Sequence, residues 1–123
     1  MAGEDSRKKV GQIGEDIACI YLQKQGFKVL ERNYRKPWGE IDIIAEKGGV
    51  VRFVEVKSVS RETIRPEENM HAGKLQRLHR AIQTYLIDHK VPESKQWRID
   101  LVCVFLNFKD RKARVEVLEN IVL

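Results

Sequence analysis

Asp42, Glu55 and Lys57 are residues whose types and spacing could do chemistry together. They lie in two apolar, β-branched runs, Gly39 to Lys47 and Val50 to Lys57, separated by Gly48-Gly49. That glycine pair can supply the positive φ angles of a two-residue hairpin turn. With the turn there, Lys47 faces Val50, and the register predicts Ile44 opposite Phe53, Asp42 opposite Glu55 and Glu40 opposite Lys57. Alternation along a strand puts these pairs on one face and Ile41, Ile43, Val54 and Val56 on the other. Like charges directly opposed are destabilising. Apolar residues on both faces imply that the acids are partly shielded, so they need a proton, a cation or a lysine. Lys57, two residues from Glu55, shares its face. Asp, Glu and Lys converging this way make a magnesium site with a lysine beside it, the equipment for phosphodiester hydrolysis. A salt-bridged strand pair, with Lys57 neutralising both acids, uses the same residues for structure alone.

The elements that must position this hairpin follow from periodicity. Residues 1–9 are charged without an apolar stripe and are expected to form a flexible tail, leaving residues 10–123 as one domain. From Val10 to Gln25 the spacing of Ile13, Ile17, Ala18, Ile20 and Tyr21 predicts a helix that Gly26 ends. Glu15 shares a face of it with Ala18, Cys19 and Leu22, as a rim residue or one aimed inward. Phe27 to Tyr34 is expected to be a strand and Asn33 to Trp38 a turn. Arg32, Arg35 and Lys36 cluster there with Tyr34 and Trp38, a mixture that can grip phosphate and stack on bases, or form a plain solvated connector. Ser58 to Met70 has no periodicity and reads as a loop beside the acids. Its Arg61 and Arg65 could face a polyanion, tempered by Glu67-Glu68. A second helix from His71 to His89 carries Leu75, Leu78, Ile82, Tyr85 and Leu86 on one stripe. Lys74 sits in its first turn, where the helix dipole favours acids, which hints at a negative neighbour. Trp97 to Phe108 and Ala113 to Val122 complete the strands, with a structural role expected for Asp100. The order α-β-β-β-α-β-β predicts an α/β fold, a single mixed β-sheet flanked by helices.

Bulk properties narrow the class. Hydrophobic residues make up 42% and charged residues 33%, a soluble globular balance rather than a disordered one. A net charge of +5 permits a nucleic-acid partner without demanding one. Cys19 and Cys103 lie in apolar-patterned elements, so buried free thiols in a reducing cytoplasm are expected. No run is long enough to span a membrane, and the charged start is not expected to act as a signal peptide.

Several blocks together resemble a known family. Gly11-x-x-Gly14-Glu15-x-x-Ala18, Arg32-Asn33-x-Arg35, Gly39-Glu40-Ile41-Asp42-Ile43-Ile44-Ala45, Phe53-Val54-Glu55-Val56-Lys57 and Lys74 look like the YraN-type uncharacterised bacterial family. Asp42 followed by Glu55-Val56-Lys57 resembles the signature of the PD-(D/E)XK nuclease superfamily, in its Holliday-junction-resolvase-like branch. Many superfamily members have proline before the first aspartate, where this chain has Ile41.

The resemblance implies a restriction-endonuclease-like core and a metal-dependent endonuclease acting on structured nucleic acid, DNA in preference to RNA. It implies Mg²⁺ or Mn²⁺ held by Asp42, Glu55, the Val56 carbonyl and, as an outer ligand, Glu15, with Asp42, Glu55 and Lys57 catalytic. Arg32, Arg35, Lys36, Arg61 and Lys74 are the expected nucleic-acid contacts. A non-cleaving nucleic-acid binder and a protein-interaction domain stay open beside it. Junction cleavage would favour a homodimer, because two strands must be cut.

Overall fold

The computed structural model describes residues 4–60 and 72–121. The chain runs α1 (Glu4–Lys24), β1 (Lys28–Lys36), β2 (Gly39–Lys47), β3 (Val50–Ser60), α2 (Ala72–Asp88), β4 (Trp97–Asn107) and β5 (Lys112–Leu118). One five-stranded sheet holds the strands in sequence order, β1-β2-β3-β4-β5. β1, β2 and β3 form an antiparallel meander, β3 pairs β4 in parallel, and β5 returns antiparallel. The parallel pair is why α2 lies between β3 and β4: a parallel connection needs a crossover. The mixed α/β order expected from periodicity is present. No helix among the described residues is long and apolar enough to cross a membrane.

The two helices occupy opposite faces. Leu78, Ala81, Ile82 and Tyr85 of α2 pack on Tyr34, Ile41, Ile44, Val51, Phe53 and Ile99. Ala18, Cys19 and Leu22 of α1 pack on Ile43, Ala45, Val54, Val102, Val104 and Leu106. Burying each of these large aliphatic or aromatic side chains contributes about 1.5–3 kcal/mol before entropy is counted. Both cysteines are buried and neither is in a disulfide, as expected.

Three element boundaries are corrected. Helix α1 starts at Glu4, inside the stretch expected to be a tail, because its opening turns are polar and carry no apolar stripe to betray them. Strand β1 continues through Asn33 to Lys36, shrinking the turn to Pro37 and Trp38. The expected loop begins inside β3, since Ser58 to Ser60 continue the ladder with Val104 to Leu106. The rest of that segment, with Arg61 and Arg65, lies outside the described residues.

The hairpin turn is built as its sequence dictates, with Gly48 at φ 62° and Gly49 at φ 78°. Lys47 pairs Val50 and Ile44 pairs Phe53, the expected register. That ladder ends at Ile43–Val54, so Asp42 and Glu55 are not partners within it. On the other side, β1 and β2 pair Arg32 with Ile43 and then Tyr34 with Ile41, passing over Asn33 and Asp42. Asn33 takes φ 54°, which breaks the alternation. Beyond that point both strands have changed face: Ile41 joins the α2 core while Ile43 stays in the α1 core. The two isoleucines do not share a face as alternation predicts.

Candidate functional site

The departure of β2 from β3 opens the sheet where the acids lie. Asp42 sits at the fork, and its Oδ2 accepts a hydrogen bond from the Val56 amide at 2.8 Å. A side chain thereby takes the place of a ladder partner. Glu55, on β3 just past the last β2–β3 pair, is buried, and its Oε1 meets Lys74 Nζ at 2.8 Å. Glu15, on the inner face of α1, is buried and its Oε1 accepts from Arg32 at 3.1 Å.

Two glycines let the helices close on this fork. A Cβ at Gly14 would stand 1.7 Å from Ser58 Oγ and 2.7 Å from Ser58 Cβ, so α1 can approach β3 only with a hydrogen there. A Cβ at Gly39 would stand 2.2 Å from the Arg77 carbonyl oxygen, so the start of β2 lies directly on the α2 backbone. Each glycine precedes one of the acids, Glu15 or Glu40.

Two clefts flank the fork. The larger, about 850 Å³, is lined by Glu15, Asn33, Asp42, Lys57 and Ser58 among others. The smaller, about 310 Å³, is lined by Lys36, Trp38, Glu40, Glu55, Lys74 and Arg77.

The electrostatics are those of acids and lysines crowded together out of water. Burial pushes the Asp42 carboxyl up to about 7, and the charge of Glu55 pushes the same way, with smaller contributions from Glu15 and Glu40. The Val56 amide opposes them. Lys57 is lowered below the ordinary lysine range, first by burial and then by its hydrogen bond and proximity to Lys74, against the pull of Glu55 and Asp42. Lys74 is raised: burial works against its charge, but the attraction of Glu55, the bonds to Glu55 and Lys57, and the charge of Asp42 outweigh it. The two lysines divide the work. Lys74 stays the ammonium and donates to Lys57, which releases a proton the more readily.

A divalent cation fits this donor set chemically. Crowded carboxylate oxygens suit hard cations such as Mg²⁺ or Mn²⁺, and a cation would relieve the repulsion that lifts Asp42. The cage is not preassembled. Among the described residues no three His, Cys, Asp or Glu side chains converge closely enough to hold an ion together. Glu55 and Glu15 each turn one oxygen to a cationic side chain instead.

The expected nucleic-acid contacts separate into groups. Lys74 stands inside the acid cluster rather than at its rim, as its place in the first turn of α2 hinted. Arg32 is turned inward, held by Glu15 and by Asp16 Oδ1 at 2.6 Å. Arg35 is exposed and 3.5 Å from Glu40, and Lys36 is 3.5 Å from Asp88. Arg61 lies outside the described residues. Periodicity gave no sign of the Lys74–Lys57 contact, which depends on where the crossover sets α2 down. Asp100 has the structural role expected of it: it meets Arg52 at 3.3 Å and accepts from the Asn120 amide at 2.8 Å.

Comparisons with known proteins agree with one another. The sequence model of Uncharacterised protein family UPF0102 matches residues 14–104, a span containing Glu15, Asp42, Glu55, Lys57 and Lys74. A UPF0102 protein of Moorella thermoacetica is 39% identical over 116 residues, 94% of this chain and 96% of its own. One of Helicobacter hepaticus is 40% identical over 119 residues, 97% of this chain and 98% of its own. One of Campylobacter lari is 39% identical over 108 residues, 88% of each chain.

Proposed function

The chain belongs to the UPF0102 family, the YraN-type family its sequence blocks resemble, and from that premise we propose that it is a metal-dependent endonuclease. The substrate we assign is structured nucleic acid, DNA in preference to RNA, and the fold we assign is the restriction-endonuclease-like core of the PD-(D/E)XK superfamily. The observation that carries this reading is the fork at Asp42. There a raised carboxyl, a second buried carboxylate and a lysine with a lowered pKa meet beside an open cleft.

Asp42 and Glu55 would hold the Mg²⁺ or Mn²⁺ ion with the Val56 carbonyl, and Glu15 would hold it through water. When bound, the ion supplies Lewis-acid polarisation of the phosphate and a lowered pKa for water. The remaining work falls to the chain. Lys57 Nζ, in its neutral form, accepts a proton from the attacking water and then, as an ammonium, faces the charge growing on the phosphate. Lys74 holds Glu55 in place and, as the ammonium of the pair, favours the neutral form of Lys57. Arg32 fixes Glu15 against α1.

The test is cleavage of end-labelled duplex, flap and four-way-junction DNA in Mg²⁺ and Mn²⁺. Wild type is expected to cut at least one of these, and Asp42→Ala, Glu55→Ala and Lys57→Ala, each with an unchanged circular dichroism spectrum, are expected not to. Full activity in Glu55→Ala would overturn the mechanism.

The Lys74–Glu55 pair favours a second reading, because it neutralises one acid without a metal. In it the protein binds nucleic acid and does not cut. Affinity that is unaffected by chelators and falls steeply with salt, with no cleavage in any metal, would select that reading.

A further inference from the structure

The smaller cleft opens beneath a surface whose charges do not cancel. Each acid around it is already engaged: Glu55 by Lys74 at 2.8 Å, Glu40 by Arg35 at 3.5 Å and Asp88 by Lys36 at 3.5 Å. Arg77 and Arg80 of α2 are exposed, and among the described residues no acid forms an ion pair with either. Three residues apart on a helix, they stand side by side, with Cβ atoms about 5–6 Å apart.

Both arginines are also placed rather than loose. Gly39 packs on the Arg77 backbone. The Arg80 guanidinium lies 5.0 Å from the centre of the Trp38 ring, and Trp38 Nε1 donates to Thr84 Oγ1 at 3.1 Å. The β1–β2 turn and α2 therefore form one fixed ledge.

We infer that this ledge, Arg77 and Arg80 with Lys36 at its edge, grips the phosphate backbone of double-stranded nucleic acid and sets it across the smaller cleft towards Glu55. The inference rests on the nucleic-acid reading above but does not need cleavage. Two adjacent guanidiniums with no acidic partner among the described residues are suited to bidentate bonds with phosphate oxygens. The partner is a duplex because Trp38 does not serve as a stacking platform. Its ring already carries Arg80 and its N–H is spent on Thr84, whereas binders of unpaired strands offer aromatic faces to bases. The role first expected of Arg32, which Glu15 and Asp16 hold inward, passes to Arg77 and Arg80.

The experiment is fluorescence anisotropy with a labelled duplex of mixed sequence and the matching single strand, in EDTA so that no cleavage occurs. Wild type is expected to bind the duplex more tightly, with log affinity falling linearly with log salt. Arg77→Ala and Arg80→Ala are each expected to weaken duplex binding about tenfold at low salt and to reduce the salt slope by about one. Arg77→Lys, which keeps the charge but loses the bidentate fork, should keep only part of the affinity, and Lys109→Ala, an exposed turn residue outside the ledge, should bind as wild type does. Wild-type affinity in both arginine variants, tighter binding of the single strand, or an equal loss in Lys109→Ala would overturn the inference. Duplex binding that depends on Arg77 and Arg80, without cutting in any metal, would uphold the ledge and sink the nuclease reading.

Discussion

The Asp42 carboxylate accepts the Val56 amide hydrogen at 2.8 Å, just where β2 stops pairing with β3. One bond therefore does two things. It satisfies a buried strand amide that the ladder has abandoned, and it holds an acid beside Glu55 in the fork. The chemistry of the site and the splitting of the sheet are the same structural event.

That position gives stability a pH dependence opposite to that of an ordinary ion-paired aspartate. In the fold, burial and Glu55 lift the Asp42 carboxyl to about 7, whereas in the unfolded chain it titrates near about 4. Between those values the folded state binds the extra proton. The Asp42 contribution is therefore fully present below about pH 4 and lost as pH rises towards about 7. Asp42→Asn keeps an oxygen to accept the Val56 amide and has no charge to lose. Urea unfolding in metal-free buffer should show the variant gaining on wild type from about pH 4 to about pH 7. A gap that stays constant across this range would contradict the assignment.

Gly14 sets the distance between α1 and the fork. Gly14→Ala should cost about 1–3 kcal/mol by thermal or chemical unfolding, because Ser58 Oγ and Cβ occupy the space of the new methyl. Adding Ser58→Gly removes both atoms and should recover much of the loss, a coupling that a double-mutant cycle measures. Gly39→Ala meets the Arg77 carbonyl, a backbone atom, so trimming the Arg77 side chain should restore nothing.

On the proposed reading, Lys74 would compete with a cation for Glu55. In Lys74→Met the Glu55 carboxylate is released towards Asp42, and Mn²⁺ affinity measured by calorimetry should rise roughly tenfold. Cleavage should fall by about 10–100-fold, since Glu55 loses its support and Lys57 its neighbour. Weaker Mn²⁺ binding in the variant would show that Lys74 assembles the cation site rather than opposing it.

On the β4 side of β3, Arg52 and Asp100 form a buried pair at 3.3 Å that ties β3 to β4, while the Asn120 amide caps the same carboxylate. Arg52→Ala should cost up to about 3–5 kcal/mol, because the buried Asp100 charge is left with Arg98 Nε at 3.7 Å and the Asn120 amide. Asp100→Asn with Arg52→Met should cost less than Arg52→Ala alone.

Much of this architecture could be read from the residues, and the failures have physical causes. Gly48-Gly49 fixed the hairpin register because its turn type is local. The stripe of Leu78 and Ile82 marked the inner face of α2 correctly, but the stripe expected for α1 was misplaced: Ile13 and Ile20 are exposed, and the buried face is that of Ala18, Cys19 and Leu22, which Glu15 shares. The separation of Ile41 from Ile43 was hidden, because it depends on Asn33 adopting φ 54° within a strand, a choice that alternation cannot express. Asp42 and Glu55 were rightly paired as neighbours but wrongly as ladder partners, since the sheet opens one residue too soon. Arg32 looked available because Glu15 and Asp16 are distant in sequence and come near only when α1 docks on β1.

Calorimetric titration of Mg²⁺ and Mn²⁺ into metal-stripped wild type and Glu55→Ala, with and without duplex DNA, tests the central claim most directly. The account predicts a saturable isotherm in wild type, tighter with DNA present, and its loss in the variant. No binding by folded wild type even with DNA, or equal binding by Glu55→Ala, would contradict it and leave Asp42, Glu55 and Lys57 as a salt-bridged strand pair.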